Sequence, residues 1–351
     1  PRLKNNKKIR RRRNYHHEGS EQMKRWLNCF AVSMVAMFPA VAAHAQKPVV
    51  RIQDYPGSIT TLIRVAVDKG YCDKHGIECQ LKMIPSAPAG LQTLLAGGID
   101  VAGPPPEVAI QSAVRGAELK IVGSYFNANP FMLLLGRSMS SEYDKGYPEV
   151  IKKLKGKKIG VTARGAGPEF QMGSMLQANG LKAEDVTFVA VGSPNTVYPA
   201  LVNGQIDAAM SFVPLDGFCN VLKTCHIAVV PAKNEGPKVL TALNGAGGLL
   251  VVKADYLKAN RDTMSRFSLA LKDAQEFVQD PKNFDEISRI ALKYYRLDMD
   301  KGDEILRDSL KRFLPNMVSS VDANALQSAS NYLLQTGQLS KAYDTSALLE
   351  K

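Results

Sequence analysis

The apolar positions of this chain fall into two rhythms that alternate along its length. Val49 to Asp54 is β-branched and alternating, which predicts a strand, and Asp54-Tyr55-Pro56-Gly57-Ser58 reads as the turn that ends it. From Thr60 to Lys69, Leu62, Val65 and Ala66 share a helical face, and Gly70 stops the helix. Strands follow at Glu78–Ile84 and Asp100–Ala102. A helix is predicted from about Glu107 to Arg115, then strands at Leu119–Tyr125 and Met132–Leu135. A second series holds a short helix at Ile151–Leu154, strands at Lys158–Thr162 and Val186–Val191, and a helix at Pro168–Asn179. Phe212–Asp216 reads as a loop, and Ile227–Val230 and Leu249–Val252 as strands. Beyond Ala254 the spacing of Phe267, Leu271, Phe277, Ile290, Tyr294 and Tyr295 is helical to the end.

One stretch occurs twice. Ser86 to Ala102 and Ser193 to Ala209 each run from a Ser N-cap through a short apolar helix to a Gly stop and an Ile-Asp that opens a small-residue strand, at a constant offset of 107. Two such units at one spacing point to two similar α/β lobes, and the β-α-β-α string to parallel sheets covered by helices. Asn127-Ala128-Asn129-Pro130 breaks the pattern where the chain leaves the first lobe, and the Gly-rich Leu243–Gly248 is where it returns. The expected division is therefore 46–128 with 243–351 in lobe 1 and 129–242 in lobe 2, with ligands outside the carboxyl ends of the strands.

Charge changes this picture only at the N-terminus. The net charge is +12, but positions 1–45 hold ten Lys and Arg against two Glu, and without them the remainder carries +4. A nucleic-acid footprint is not evident there, and no nucleic-acid partner is expected. Met23-Lys24-Arg25, the apolar run Trp26–Phe38 and Ala43-His44-Ala45 have the order of a signal peptide (23–45), with cleavage expected between Ala45 and Gln46 and export to the periplasm. Residues 1–22, including the run Arg10–Arg13, are expected to be an upstream, disordered segment. Of the cysteines, Cys72, Cys79, Cys219 and Cys225 lie beyond the signal as two close pairs. In an exported chain this favours disulfides, local pairing being one of three connectivities and buried free thiols the other reading. The spacing does not suit a zinc motif.

Four stretches in order make the chain resemble the periplasmic substrate-binding proteins of ABC importers for nitrate, taurine and aliphatic sulfonates, a group that includes binders of thiamine pyrimidine precursors. They are Ala66–Tyr71 with Lys74–Ile77, Leu94–Asp100, Leu154–Thr162, and Gly192–Pro194 continuing to Ile206–Ala209. The resemblance implies a two-lobed α/β fold of the type II periplasmic-binding-protein class, with two chain crossovers, a ligand cleft between the lobes and a helical C-terminal part. It implies closure on a small organic, anionic class of ligand such as a sulfonate or carboxylate. It also implies delivery to an inner-membrane ABC permease with its cytoplasmic ATPase, by a monomer without cofactor or metal.

Carried onto this chain, the family's ligand loops are Asp54–Ser58, Gly103–Pro106, Thr162–Gly167, Ser193–Asn195 and Phe212–Asp216. The candidate ligand residues are Asp54, Tyr55, Gly103, Pro104, Thr162, Arg164, Gly165, Ala166, Ser193, Asn195, Phe212 and Asp216. The physical case is strongest at Thr162–Gly167, a Gly-rich turn at a helix N-terminus whose N–H groups favour an anion, with Arg164 able to add a bidentate contact or else sit as a solvated charge beside Glu169. Ser193 is expected to cap its own helix. Tyr55, Phe126 and Phe212 are candidate walls. Gly103-Pro104-Pro105-Pro106 has lost N–H donors, which favours an organic ligand over a hydrated one such as nitrate. Asp54 and Asp216 are amine ligands or turn residues, whereas Asp100 and Asp207 read as turn chemistry. Catalysis is not expected: only His75 and His226 follow the signal, neither in a cleft loop, and no phosphate-binding loop, H-E-x-x-H or G-x-S-x-G is present. A precursor-binding protein or enzyme of the same fold, and a periplasmic sensory domain, are the alternatives.

Overall fold

The structure is a computed structural model that describes residues 46–350; the expected upstream segment, signal peptide and cleavage site fall at or beyond the edge of the described residues. Nine strands are named among them: β1 Val49–Asp54, β2 Glu78–Met83, β3 Leu119–Phe126, β4 Met132–Leu135, β5 Lys158–Val161, β6 Thr187–Ala190, β7 Ala208–Ser211, β8 His226–Val229 and β9 Gly248–Lys253. The principal helices are α1 Thr61–Asp68, α2 Ala87–Leu95, α3 Pro106–Val114, α4 Gly167–Ala178, α5 Pro194–Val202, α6 Leu215–Leu222, α7 Arg261–Gln279, α8 Phe284–Tyr294, α9 Gly302–Phe313 and α10 Ala323–Gln335.

Two sheets result. In the first, β1 pairs in parallel with β2 and bridges to Val101, while Ala102 bridges to β9, which pairs antiparallel with β3. The strand expected at Asp100–Ala102 is thus reduced to two bridging residues. The second sheet has the order β6-β5-β7-β4-β8. Its β5, β6 and β7 are parallel, but β4 runs antiparallel to β7 and β8. The all-parallel expectation therefore fails at β4 and β9, the strands entered where the chain passes from one sheet to the other. A strand needs a returning helix over the same sheet to come back parallel, and these two have none.

The offset of 107 reaches upstream of the motif that first showed it, to the end of β1. Adding 107 to α2 gives the bounds of α5, and adding it to Asp54, the last residue of β1, and to Val101, the first bridging residue, gives the end of β5 and the start of β7. The two caps differ, however. Ser86 accepts the N–H of Ala89 through its hydroxyl at 3.5 Å, but Ser193 makes no side-chain cap. Its hydroxyl donates to Asn195 Oδ1 at 2.5 Å instead, and the Ser193 carbonyl accepts from the Thr196 hydroxyl. The side-chain cap expected at Ser193 is corrected: its hydroxyl is turned to donate to Asn195 and accepts no N–H of the first turn.

The two crossings lie side by side. The N–H groups of Gly245 and Gly247 donate to the Asn127 carbonyl, and that of Asn129 to Asn244 Oδ1 at 2.9 Å. Glycine is needed at Gly247, where a Cβ would stand 1.6 Å from the Ala128 carbonyl oxygen. The C-terminal helices bind the parts together. α7 and α8 pack on α1, and α9 packs on α6 so closely that a Cβ at Gly217 would meet the Ile305 carbonyl at 2.2 Å. The cysteines form the two local pairs: Cys72–Cys79 joins the short helix Tyr71–Lys74 to β2, and Cys219–Cys225 joins α6 to the residue before β8.

Candidate ligand-binding site

A small cavity of about 40 Å³ opens between the two sheets beside the crossings. The first lobe contributes Tyr55 and Ile59 after β1, Pro85–Ala87 at the start of α2, Pro105 before α3, and Tyr125 of β3. The crossing supplies Pro130 and Phe131, and the second lobe Thr162, Ala166–Pro168 and Phe212. Three pairs of these are related by the internal repeat: Tyr55 with Thr162, Ile59 with Ala166, and Pro105 with Phe212. Each sheet thus presents the same edge to the same gap, as expected for ligands at the carboxyl ends of strands. The relation breaks at Pro85–Ala87, whose counterparts Gly192–Pro194 are not among the lining residues.

The walls are aromatic. Phe212 stands edge-on to Tyr55 (6.4 Å, 77°) and to Phe131 (6.4 Å, 74°), linking both lobes and the crossing. The hydroxyls of Tyr55 and Tyr125 both donate to the Gly103 carbonyl, at 2.8 and 3.0 Å. Burial raises the pKa of both tyrosines, so they stay protonated and spend their polar ends on this carbonyl. The Gly103 N–H donates to Gln53 Oε1 at 2.9 Å. Gly103 is therefore a scaffold behind the wall, and a Cβ there would press on both rings at 3.2 and 3.3 Å.

Of the residues picked out from sequence, Tyr55, Thr162, Ala166 and Phe212 meet in this cavity. The others lie elsewhere. Asp54 is buried and binds the Thr60 hydroxyl and the wholly buried Arg64 guanidinium (Nε 3.0 Å). Arg64 also donates to the carbonyls of Gly57 and Tyr55, both at 2.5 Å. This buried pair holds the turn that carries Tyr55. Asp216 lies in the first turn of α6 rather than in a loop, and accepts from Ser309 at 2.6 Å and from Arg312 Nε at 2.9 Å. The Pro104 carbonyl accepts from Leu249. Phe126, the third candidate wall, packs in the core on Phe313 at 5.8 Å.

Arg164 is largely exposed and engages Glu169 at 2.8 Å, while the Gly165 N–H donates to the same carboxylate at 2.7 Å. The N-terminus of α4 therefore already has an acidic complement in its first turn, and Pro168 has no N–H to offer. No charged side chain lines the cavity. The lining residues with polar side chains are Ser86, Thr162 and the two tyrosines, whose hydroxyls are already spent on Gly103. The two histidines are outside it: His75 binds Asp273 at 2.7 Å, and His226 stacks on Tyr143 with burial lowering its pKa.

Sequence reading missed Ile59, Pro85–Ala87, Tyr125, Pro130, Phe131 and Pro168. The offset of 107 was the available signal for Ile59, since it maps Ile59 onto Ala166. The aromatic residues of β3 and the crossing carried no comparable mark.

The family model described as NMT1/THI5 like matches residues 59–283 of this chain. The chain belongs to the NMT1/THI5-like family. Among curated proteins, a relative in Brucella abortus whose name speaks only of binding, with no ligand, is 30% identical over 190 residues, 53% of this chain and 55% of that protein. The chain thus spans about half the length of the curated relatives it matches. Among solved structures, a protein from Bordetella bronchiseptica RB50 is similar at a TM-score of 0.72 and 21% identity, over 87% of this chain and 95% of that one. The alkanesulfonate-binding protein SsuA from Xanthomonas axonopodis pv. citri, bound to MOPS, is similar at a TM-score of 0.67 and 18% identity, over 87% and 99%. These likenesses establish the fold of this NMT1/THI5-like chain as that of the periplasmic binding proteins.

Proposed function

We propose that this chain is the periplasmic solute-binding component of an ABC importer, which takes one small organic molecule between its lobes and presents the closed form to a membrane permease and its ATPase. The observation that supports this reading is the cavity at the crossings. Both sheets contribute repeat-related residues to it, and Phe212 touches ring edges from the other lobe and from the crossing.

The lining favours a ligand with an apolar body. Burial against four rings and several prolines supplies affinity at roughly 25 cal/mol per Å² of apolar surface. A polar or anionic head would be held by the Thr162 and Ser86 hydroxyls and main-chain donors, without a cation. At about 40 Å³ the closed cavity holds a few water-sized spheres, so the lobes separate to admit a ligand and the closed form is remade around it. A thermal-shift screen of sulfonates, carboxylates and heteroaromatic compounds tests the proposal, because binding to the native state raises the melting temperature. A shift of several degrees with one class supports it. Turnover of a compound without any shift contradicts it.

A further inference from the structure

Glu107 stands in the first turn of α3 and is wholly buried. Its Oε1 accepts from the side-chain amide of Gln171, in α4 of the second lobe, at 2.6 Å. The Gln171 carbonyl oxygen accepts from Asn129 Nδ2 at 2.8 Å, and the Asn129 N–H donates to Asn244 at 2.9 Å. A single chain of hydrogen bonds thus joins a helix of one lobe, a helix of the other, and both crossings. The second carboxyl oxygen of Glu107, Oε2, has no partner, and neither has the hydroxyl of Tyr332 in α10.

The elements packed on α3 bring no cation to this carboxyl. α4 presents Gln171, and its own Glu169 is bound to Arg164 and Gly165. α10 presents Tyr332, and α2 has no ionisable side chain. The one ionisable residue of β9, Lys253, pairs with Asp255 at the end of the strand. A buried carboxylate with one oxygen unsatisfied and no counter-charge is costly, and protonation removes that cost.

We propose that closing the cleft takes up one proton from solvent, which settles on Oε2 of Glu107 as α4 docks on α3 through Gln171. The step rests on the reading of this chain as a receptor whose lobes open and close. A hydronium or buffer acid gives the proton, an O–H bond forms on the carboxyl, and no electrons move. In the closed form burial pushes the carboxyl up to about 7, against the smaller opposing pull of its own backbone N–H and the Gln171 amide. In the open form, with α4 withdrawn, it returns to the ordinary carboxylate range. Between those two values closed Glu107 is protonated and open Glu107 is ionised, so closure weakens about tenfold per pH unit as pH rises. Above about 7 and below the ordinary range the two forms hold the same number of protons and the dependence vanishes.

The test uses the full chain with carbon-13 in its glutamate carboxyls. The carboxyl resonances and the small-angle scattering of the same samples are followed from pH 4.5 to 8. One glutamate, identified by its loss in Glu107→Gln, is expected to titrate well above the rest, with the wild-type molecule expanding through the same midpoint. Glu107→Gln is expected to stay compact throughout. If that variant does not fold, coincidence of the two wild-type midpoints still decides the matter. An ordinary midpoint for every glutamate, or dimensions that do not follow the titration, overturns the proposal. Neither result bears on whether the cavity binds a ligand, which the thermal-shift screen decides separately.

Discussion

Asp100 and Arg51 hold each other twice over: the Asp100 carboxylate accepts the Arg51 backbone N–H at 2.8 Å, and the Asp100 N–H donates to the Arg51 carbonyl at 2.8 Å. At an offset of 107, Asp207 does the same to Lys158, with both distances 2.9 Å. In each lobe the aspartate stitches the segment after a helix to the first strand of the series, and so sets where that strand's end, and the cleft residue following it, will lie. Asp100→Ala removes these side-chain bonds, together with those to the Arg51 guanidinium. A loss of about 1–3 kcal/mol is expected, read from urea unfolding. An unchanged midpoint would mean that the backbone pairing alone fixes the strand.

Among the described residues, Arg64 and Asp54 form the most deeply buried ion pair, at 0% and 2% side-chain exposure. Arg64→Met strands the Asp54 carboxylate and frees the carbonyls of Tyr55 and Gly57. Chemical denaturation is expected to show a loss of about 3–5 kcal/mol. Lys at the same position is expected to recover little, since a point charge cannot reach all three acceptors that the guanidinium serves.

The stability of the fold is also expected to depend on pH through Glu107. Its folded-state pKa is raised, to about 7, above the unfolded one, so its contribution is fully present below the unfolded value and is lost as pH rises through 7. Melting temperatures of the wild type and Glu107→Gln are expected to diverge by the equivalent of at most about 3 kcal/mol between pH 5 and 8, the wild type losing ground as pH rises. Parallel curves would show that the carboxyl is solvated in the folded chain.

Both disulfides close short loops, with sequence separations of 7 and 6. The chain-entropy model gives each about 2 kcal/mol. The paired variant Cys72→Ser with Cys79→Ser is expected to melt several degrees lower without losing ligand binding, because neither cysteine lines the cavity. A binding defect larger than the stability loss would place the first pair in the closure mechanism.

Much of this fold was legible because its signals are local. β1 lies where alternation and β-branching put it and β4 where its unbroken apolar run puts it, and the Gly-rich crossing at Leu243–Gly248 follows from a steric need at Gly247. The direction of β4 and β9 was not legible, since it depends on which sheet receives the strand, a long-range choice that no window records. Asp216 was misplaced because α6 begins earlier than its weak capping suggests, after Pro214 and without a side-chain cap. The site was half legible. The loops after strands that the family resemblance implies gave Tyr55, Thr162 and Phe212. What Asp54, Arg164 and Asp216 bind depends on partners 10, 5 and 93 residues away. Those partners show each charge already committed within the protein.

The central claim is that one small organic molecule occupies the cavity closed by Phe212. Native mass spectrometry of the protein purified from its own cells measures this most directly, alongside Phe212→Glu, which drives a charge into the apolar lining. The expected result is a single small-molecule adduct on the wild type that is absent from the variant. An adduct that persists in Phe212→Glu, or a wild-type chain that carries none and takes up none from the screen, would contradict the account.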